Sequence, residues 1–195
     1  MRVVALLLVT GCADLWNIEY VESIDAGPAD ASFEPDRECP SDYQLALFAG
    51  SRYRITPDSF AAWDDSDDCN DDKVGITHLA VAQTRTELDN LIDALGPTGI
   101  GSWWLGLVQR AGAATPNDGW IWVTGETVDP ALWDGPSEPN DGDGTENATE
   151  QFGDIISNVR GLIDYDGSGG KRALCECDGR AMSAEAKTAI ELSRR

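Results

Sequence analysis

Apolar residues along the chain recur with a helical period over one long stretch and form short strand-like runs elsewhere. After Thr84 they fall at intervals of three and four, as on one face of an amphipathic helix. These residues are Leu88, Leu91, Ile92 and Leu95. Thr84 and Glu87 have the spacing of a capping box, and Gly96-Pro97 ends the pattern. The sequence therefore predicts a helix from Thr84 to Leu95.

Another helix is predicted earlier, over residues 59–69, where apolar Phe60 and Trp63 are interspersed with acids. A charge run of this kind usually forms the solvated face of a helix. We therefore expect four aspartates to face water: Asp64, Asp65, Asp67 and Asp68. A short helix is also expected from Ser183, with arginines near its C-terminal end, where they suit the helix dipole.

Short apolar runs bounded by glycine, proline and polar residues predict strands. They occupy residues 43–48, 53–55, 76–81, 103–107, 120–123, 159–165 and 171–177. The first two flank Ala49-Gly50-Ser51, which is typical of a hairpin turn.

The stretch from Trp133 to Glu146 contains no aliphatic side chain, so it cannot belong to the core. It is a loop rich in side-chain oxygen. Glu138, Asn140 and Glu146 carry the carboxylate and amide oxygens that a hard cation such as calcium prefers. A cis peptide bond before Pro139 would turn both flanking side chains to the same side. The alternative is an acidic surface turn without a metal. The residues around the loop are needed to distinguish between the two interpretations.

The charge of the chain narrows its range of partners. Its 35 acids against 14 bases leave a net charge of -21. This argues against binding to nucleic acid or to a bare anionic membrane, and cation binding is the natural counterpart. The 195 residues, 42% of them apolar, suffice for one ordinary domain with extensions at its ends.

The N-terminus has the order of a bacterial export signal. Residues 3–9 are apolar, and Val9-Thr10-Gly11-Cys12 resembles a lipobox. We therefore expect residues 1–11 to be a signal peptide, removed before a lipid-bearing Cys12. Residues 12–38 lack sustained periodicity and are expected to form a flexible acidic linker. The chain is thus predicted to be exported and anchored through lipid to the bacterial cell envelope, at the outer membrane or in the periplasm.

Four cysteines remain after Cys12, and an even number suits two disulfides in an oxidising compartment. They are Cys39, Cys69, Cys175 and Cys177. Four cysteines allow three pairings, and a bridge between Cys175 and Cys177 would close a very small ring. A zinc site is the rival interpretation, which the scattered spacing and the lone histidine, His78, weaken. His78 lies in a predicted strand and is expected to be packed or hydrogen-bonded.

Other signatures of calcium binding and of catalysis fail at defined positions. Asp164-Tyr165-Asp166-Gly167-Ser168-Gly169 begins like an EF-hand loop, but the twelfth position is Cys175 instead of glutamate. The chain has no Gly-x-Ser-x-Gly nucleophile elbow, and one histidine offers little for a triad. Carboxylate pairs of the glycosidase type arise by chance in so acidic a chain. We therefore do not expect an enzyme.

An ordered set of short motifs resembles the C-type lectin-like domain. The set is Cys69 at the end of the first helix, His78-Leu79-Ala80, Trp104-Leu105-Gly106-Leu107, Trp120-Ile121-Trp122, Trp133, Glu138-Pro139-Asn140 and Leu174-Cys175-Glu176. The resemblance places the domain at residues 39–178 and leaves 179–195 as a charged tail. It implies an α+β fold, the C-type lectin fold, with two helices, two small antiparallel sheets and a long ligand-binding loop. The first and last strands would pair, and the disulfides would be Cys69–Cys175 and Cys39–Cys177.

The resemblance also implies a calcium-dependent sugar site, because sugar-binding members of the family hold calcium in the long loop. Glu138 and Asn140 match the family's Glu-Pro-Asn pair, and Glu146 matches the acid eight positions after the glutamate. These residues would bind calcium and also two neighbouring sugar hydroxyls, in mannose-, glucose- or fucose-like arrangements. Asp164 stands where a Trp-Asn-Asp motif supplies the last metal ligands.

The chain departs from the family around that motif and across the loop. Leu162 or Ile163 occupies the tryptophan region and the asparagine is missing, so Asp166 is a candidate substitute ligand. The family's second disulfide is absent, with Ala148 near one expected cysteine. A looser loop should bind calcium more weakly, because more ordering entropy is lost. An auxiliary metal site is a further hypothesis, formed by Asp141, Asp143 and Asn147.

Two functions are consistent with this resemblance. One is a calcium-dependent lectin that binds a glycan or glycoprotein. The other is a calcium-independent C-type lectin-like module that binds protein at the cell surface, since fold alone does not fix function. A pure protein binder has no reason to keep the four oxygen ligands together, and this favours calcium. They are Glu138, Asn140, Glu146 and Asp164.

Overall fold

The computed structural model describes residues 32–96, 101–140, 151–156 and 159–194. The predicted signal peptide, Cys12 and the linker before residue 32 lie outside this part. One compact unit spans Phe33–Arg195, so it takes in the end of the predicted linker and the predicted charged tail. No helix in the described ranges combines the length and the apolar character needed to cross a bilayer.

The described residues contain four α-helices and one short 3-10 helix. They are α1 Pro35–Glu38, α2 Ala62–Asp71, α3 Arg85–Leu95, α4 Ala184–Ser193 and the 3-10 helix Pro130–Leu132. The predicted Thr84 cap of α3 is confirmed, since the Thr84 hydroxyl accepts from the Glu87 N–H at 3.2 Å. The Glu87 carboxylate in turn accepts from the N–H of Gln83, one residue before the cap, at 2.8 Å. Ser183 caps α4 by accepting from the Ala186 N–H at 3.1 Å. Helices α2 and α3 are the two that the resemblance implies.

Seven strands are present in the described ranges. They are β1 Arg52–Ile55, β2 Thr77–Leu79, β3 Ser102–Gln109, β4 Trp120–Trp122, β5 Phe152–Ile156, β6 Leu162–Tyr165 and β7 Arg172–Cys177. Every residue of β3 after Ser102 is buried, which explains its continuous apolar character.

Strand β7 joins two antiparallel groups of strands into one sheet. Arg52 of β1 and Thr77 of β2 both lie opposite Cys177, on the two sides of β7. The start of β7 instead pairs in parallel with β3, where Trp103 lies opposite Arg172. Strand β3 continues the sheet antiparallel to β4 and β5, and β5 pairs with β6. The two predicted sheets are therefore continuous, because successive parts of β7 pair with different neighbours.

The predicted strand over residues 43–48 was wrong. Its only pairing in the described structure is one bridge between Leu45 and Tyr53, with N–H···O distances of 3.0 and 2.9 Å. The backbone N–H groups of Tyr43 and Gln44 donate instead to carbonyls two or three residues earlier, within local turns. Donors used in turns cannot contribute to a ladder.

The centre of the core is built from large side chains and one obligatory glycine. Trp103, Trp104 and Trp122 are all buried. A Cβ atom at Gly106 would lie 2.5 Å from the Leu79 carbonyl oxygen, so glycine lets β3 approach β2 closely. The Gly106 N–H uses this approach and donates to the Ala80 carbonyl at 2.7 Å. On the side of β4, the Val123 N–H donates to the Gly106 carbonyl, also at 2.7 Å.

Two disulfides fasten the chain to β7. Cys39 joins Cys177 and Cys69 joins Cys175, across sequence separations of 138 and 106 residues. This is the pairing that the resemblance implies. Each bridge closes a long loop and so contributes roughly 2–5 kcal/mol, mainly by restricting the unfolded chain.

Asp65 corrects the prediction that the acids of α2 face water. Its side chain is buried, whereas Asp64, Asp67 and Asp68 are exposed. In the described ranges, neither carboxylate oxygen has a hydrogen-bond partner. Burial raises the pKa of Asp65 to about 7, which the nearby Thr56 hydroxyl and Phe60 backbone oppose only in part. The helical period places Asp65 inward, and a count of charges along the sequence does not show this.

We expect Asp65→Asn to change how stability depends on pH. The folded-state pKa is raised, so the stability that protonated Asp65 contributes is complete below about pH 3.8 and is lost as the pH rises through about 7. The amide cannot ionise, so the variant should gain roughly 1–3 kcal/mol relative to wild type between pH 4 and pH 8. Urea unfolding at both pH values measures this difference. Asp64→Asn is the matched control, and an equal gain there would contradict the assignment.

Candidate ligand-binding site

The oxygen-rich loop begins beside strand β6. Trp133 forms a parallel bridge with Leu162, and the Asp134 N–H donates to the Leu162 carbonyl at 3.0 Å. Gly161 makes this contact possible, because a Cβ atom there would lie 2.3 Å from the Asp134 nitrogen. The loop and β6 therefore run close together, and residues a few positions further along each can meet.

Three of the predicted ligands meet at this point: Glu138, Asn140 and Asp164. The peptide bond between Glu138 and Pro139 is cis. The Asn140 side-chain amide donates to Glu138 Oε1 at 2.7 Å, so the two flanking side chains lie on the same side. The Asn140 backbone N–H donates to both carboxylate oxygens of Asp164, at 3.0 and 3.1 Å.

Asp164 supports the site from within the sheet. Asp164 is only 3% exposed, and it lies opposite Gly153 in the β5–β6 pair. An ionised carboxylate has about four lone-pair sites and can accept from several donors at once. Hydrogen bonds to a charged acceptor are roughly twice as strong as neutral ones. Asp164 therefore holds the Asn140 backbone in place.

The described hydrogen bonds do not link the other predicted ligands to this point. Asp166 lies in the turn after β6, where its carboxylate accepts from the Ser168 N–H at 3.1 Å and from the Ser168 hydroxyl at 2.9 Å. Glu146 lies outside the described residues. So do the residues of the hypothetical auxiliary site and the position of the expected cysteine, namely Asp141, Asp143, Asn147 and Ala148.

A groove of about 410 Å³ adjoins Glu138. Trp120 and Trp133 contribute to its lining and meet edge to face, with ring centroids 5.0 Å apart. The wall formed by the connection between β3 and β4 includes Arg110 and Asn117. Binding pockets for small ligands are usually about 300–1,000 Å³, so the groove is large enough for one.

Gln109 fixes the wall of this groove. Its buried side-chain amide donates to the carbonyls of Thr115, Pro116 and Asp118, at 3.2, 3.3 and 2.9 Å. The Trp120 indole N–H also donates to Pro116, at 2.7 Å. The β3–β4 connection is therefore closed by side chains of the strands that it joins.

A different group in the described structure also has metal-binding side chains: His78, Glu176 and Asp178. The two ring nitrogens of His78 lie 2.8 Å from the Leu79 carbonyl and 3.0 Å from Asp178 Oδ1, so both nitrogens must donate. Burial lowers the pKa of His78, but the Asp178 hydrogen bond and the Glu176 charge outweigh it and leave the pKa raised. Glu176 accepts from the Tyr53 hydroxyl and the Val81 N–H, both at 3.0 Å. The group is a hydrogen-bonded part of the core, which confirms the prediction for His78.

Sequence reasoning missed two residues that build the candidate site. Gly161 carries no chemistry, and its role depends on a contact with Asp134, 27 positions earlier. Gln109 has no motif around it, and its three acceptors are backbone carbonyls. A glutamine at the end of an apolar strand is the one signal that could have drawn attention to it.

No family model matches this chain, and no curated protein sequence is significantly similar to it. Solved structures are similar in fold. The carbohydrate-recognition domain of the mouse scavenger receptor C-type lectin is 21% identical with a TM-score of 0.58, over 72% of this chain and 98% of that domain. A calcium-independent type II antifreeze protein is 18% identical with a TM-score of 0.56, over 72% and 94%. SPL-1 in complex with GlcNAc is 19% identical with a TM-score of 0.55, over 73% and 96%.

These similarities confirm the predicted fold, so the chain has the C-type lectin fold. The similar structures include a carbohydrate-recognition domain and a C-type lectin. Two of the three proteins named bind carbohydrate and the third works without calcium, so the fold is compatible with both functions derived from the sequence.

We expect Asp164→Asn to loosen the contact between β6 and the loop. A neutral amide oxygen accepts less strongly than a carboxylate, so exchange of the Asn140 amide hydrogen should accelerate by about tenfold. Hydrogen exchange measured by nuclear magnetic resonance, without added calcium, tests this. Asp166→Asn removes the same charge two residues away and should leave Asn140 unchanged. Equal acceleration in both variants would show that net charge, and not the contact, protects the amide.

Proposed function

We propose that this chain is a calcium-dependent carbohydrate-binding domain for mannose-, glucose- or fucose-like sugars, carried by an exported lipoprotein. The observation that carries the proposal is the meeting of Glu138, Asn140 and Asp164 at one point beside an open groove. The residues come from two segments that are distant in sequence. Their oxygen-bearing side chains are the type that calcium prefers.

The donor set fits a hard cation. Calcium takes about six to eight oxygen ligands from carboxylates, amide carbonyls and water. Glu138 and Asp164 supply charged carboxylates, and the Asn140 amide supplies a neutral oxygen if it turns its carbonyl toward the ion. The amide now presents nitrogen to Glu138, which keeps the pair together by a hydrogen bond. Glu146 and Asp166 remain predicted ligands.

Calcium would add a positive centre to which neighbouring sugar hydroxyls coordinate directly. The Glu138 carboxylate, and that of Glu146 as predicted, would accept hydrogen bonds from the same hydroxyls. The Asn140 side-chain amide would donate to them. The groove beside Glu138 gives space for the rest of a glycan. The partner is thus a glycan or glycoprotein, and the net charge of -21 disfavours nucleic acid.

A calcium-independent protein-binding module is the second candidate, and one observation favours it. The loop already has protein partners in the described structure, because Asn140 bonds to both Glu138 and Asp164. A loop closed in this way needs no ion to keep its shape. An antifreeze protein of similar fold is calcium-independent, and this is consistent with a domain that functions without the ion.

The substitution Glu138→Gln distinguishes between the calcium-dependent lectin and the calcium-independent protein-binding module. It removes a charged ligand but keeps the size of the side chain, so calcium affinity should fall by at least about tenfold and calcium-dependent sugar retention should be lost. Calorimetric titration with calcium, followed by a glycan array with and without chelator, measures both. Asp134→Asn is the control, because it removes one charge from the same loop and leaves the three converging residues in place. Wild type without calcium affinity at millimolar concentration, or sugar binding that survives Glu138→Gln, would refute the proposal.

Export and lipid anchoring at the outer membrane or in the periplasm remain part of the proposal. Two disulfides support an oxidising compartment, and the lipobox-like sequence before Cys12 supports lipid attachment.

Cys12→Ser should remove the membrane anchor. The full chain expressed in a bacterium is expected to fractionate with membranes and to incorporate labelled palmitate, whereas the variant should do neither. Cys39→Ser with Cys177→Ser removes cysteines without touching Cys12, so it should keep the label. Membrane association of the unlabelled Cys12→Ser variant would contradict lipid anchoring at this cysteine.

A further inference from the structure

Helix α4 follows the last strand and is packed into the fold. Three apolar residues, Ala186, Ala189 and Ile190, are buried against the rest of the domain, and the helix contacts β3 and α2. Before it, the Ser183 N–H donates to the Val123 carbonyl at 2.8 Å. These contacts exceed what a solvated charged tail requires, and they place polar side chains of α4 beside the candidate site.

Two polar contacts extend from opposite ends of α4 toward the site. At its start, Glu185 accepts two hydrogen bonds from Arg110, at 2.6 and 3.1 Å. At its end, the Ser193 hydroxyl lies within hydrogen-bonding distance of two acceptors, the side-chain oxygen of Gln151 at 2.5 Å and the Ala189 carbonyl of its own helix at 2.9 Å. The Arg110 hydrogen bond lowers the pKa of Glu185, as expected for an ion pair. The contacts are 8 residues apart, so one rigid helix holds both.

Each contact has a direct connection to the candidate site. Arg110 lines the groove beside Glu138. Gln151 immediately precedes β5, and its carbonyl accepts from the Gln109 N–H at 2.9 Å. Two residues further along β5, Gly153 lies opposite Asp164. The helix therefore supports the groove wall and the strand pair that presents Asp164.

This support is noncovalent because the middle of the chain has no cross-link. No cysteine lies between Cys69 and Cys175, so neither disulfide includes a residue of the loop, the groove or strands β3 to β6. Their relative positions depend on packing and hydrogen bonds. Helix α4 contacts β3 and is already ordered by burial of its apolar face. It can therefore restrict these positions at little further cost in entropy.

We propose that α4 is a positioning element for the ligand site, with Ser193 and Glu185 as its positioning residues. They hold Gln151 and Arg110 and, through these, the Asp164 strand pair and the groove wall. The structural part of the proposal stands alone, and only its effect on calcium affinity rests on the proposed function.

The C-cap residue of the helix makes a contact with α2 that serves as a matched control. Arg194 forms an ion pair with Asp67 of α2 and donates to the Trp63 carbonyl at 3.1 Å. Asp67→Asn weakens the attachment of α4 to α2 and leaves Ser193, Gln151 and the groove unchanged. It therefore separates docking of the helix as a whole from support of the site.

The experiment compares the full chain with Ser193→Ala, Ser193→Thr, Glu185→Gln and Asp67→Asn. Loss of one buried or partly buried hydrogen bond changes an equilibrium by about threefold to tenfold. Ser193→Ala should therefore accelerate exchange of the Gln109 amide by that factor, and weaken calcium binding in calorimetry by a similar factor. Ser193→Thr keeps the hydroxyl and should restore both. Glu185→Gln should give a smaller effect that disappears in high salt, because the pair is exposed.

Opposite outcomes are distinguishable. Asp67→Asn is expected to leave Gln109 exchange and calcium affinity unchanged. If its effect equals that of Ser193→Ala, α4 contributes only through its packing as a whole, and the proposal is overturned. Unchanged Gln109 exchange in Ser193→Ala would also overturn it. If wild type binds no calcium, the proposed function fails, while the exchange measurements still decide whether α4 positions Gln151.

Discussion

The pairing of β7 on both of its edges is the constraint on which the rest of the structure depends. This strand pairs with β1, β2 and β3, and it carries two half-cystines, Cys175 and Cys177. The pairing brings the two ends of the domain together and fixes where β3 runs. Because β3 in turn pairs with β5, and β5 with β6, the position of Asp164 follows from β7 through a chain of backbone hydrogen bonds.

The candidate site is therefore rigid on one side and supported by loop contacts on the other. Asp164 belongs to a strand and is buried, whereas Glu138 and Asn140 belong to a loop that reaches it through Trp133, Asp134 and the close approach at Gly161. A binding site needs its ligands held close to the productive geometry, and rigid elements hold them better than loops. The hydrogen bond from the Asn140 backbone to Asp164 joins the two sides. Gln109 and α4 perform the same task for the groove wall.

Charge has different consequences at different depths in this protein. Most acids in the described ranges are exposed to solvent, but each buried acid there has a specific environment. Glu176 is hydrogen-bonded beside a protonated His78, and Asp154 is paired with Lys171, which also lies over the Tyr165 ring. Asp65 is buried without such a partner in the described ranges, and burial is the largest cause that raises its pKa, with the Asp68 and Asp64 charges adding to it.

The sequence by itself determined the elements whose signals are local. Helix α3 with its cap, the tryptophan strands, the oxygen-rich loop and the helix after Ser183 all follow from periodicity, capping or composition within a few residues. The ordered motifs added the fold, the cysteine pairing and the identity of Glu138, Asn140 and Asp164 as residues that should meet. The tertiary structure alone decided the burial of Asp65, the reduction of strand 43–48 to one bridge, the role of Gly161 and the contacts of α4. These features depend on which distant segment lies opposite a residue, and that information is contained in the packing of the whole chain and not in any short window of it.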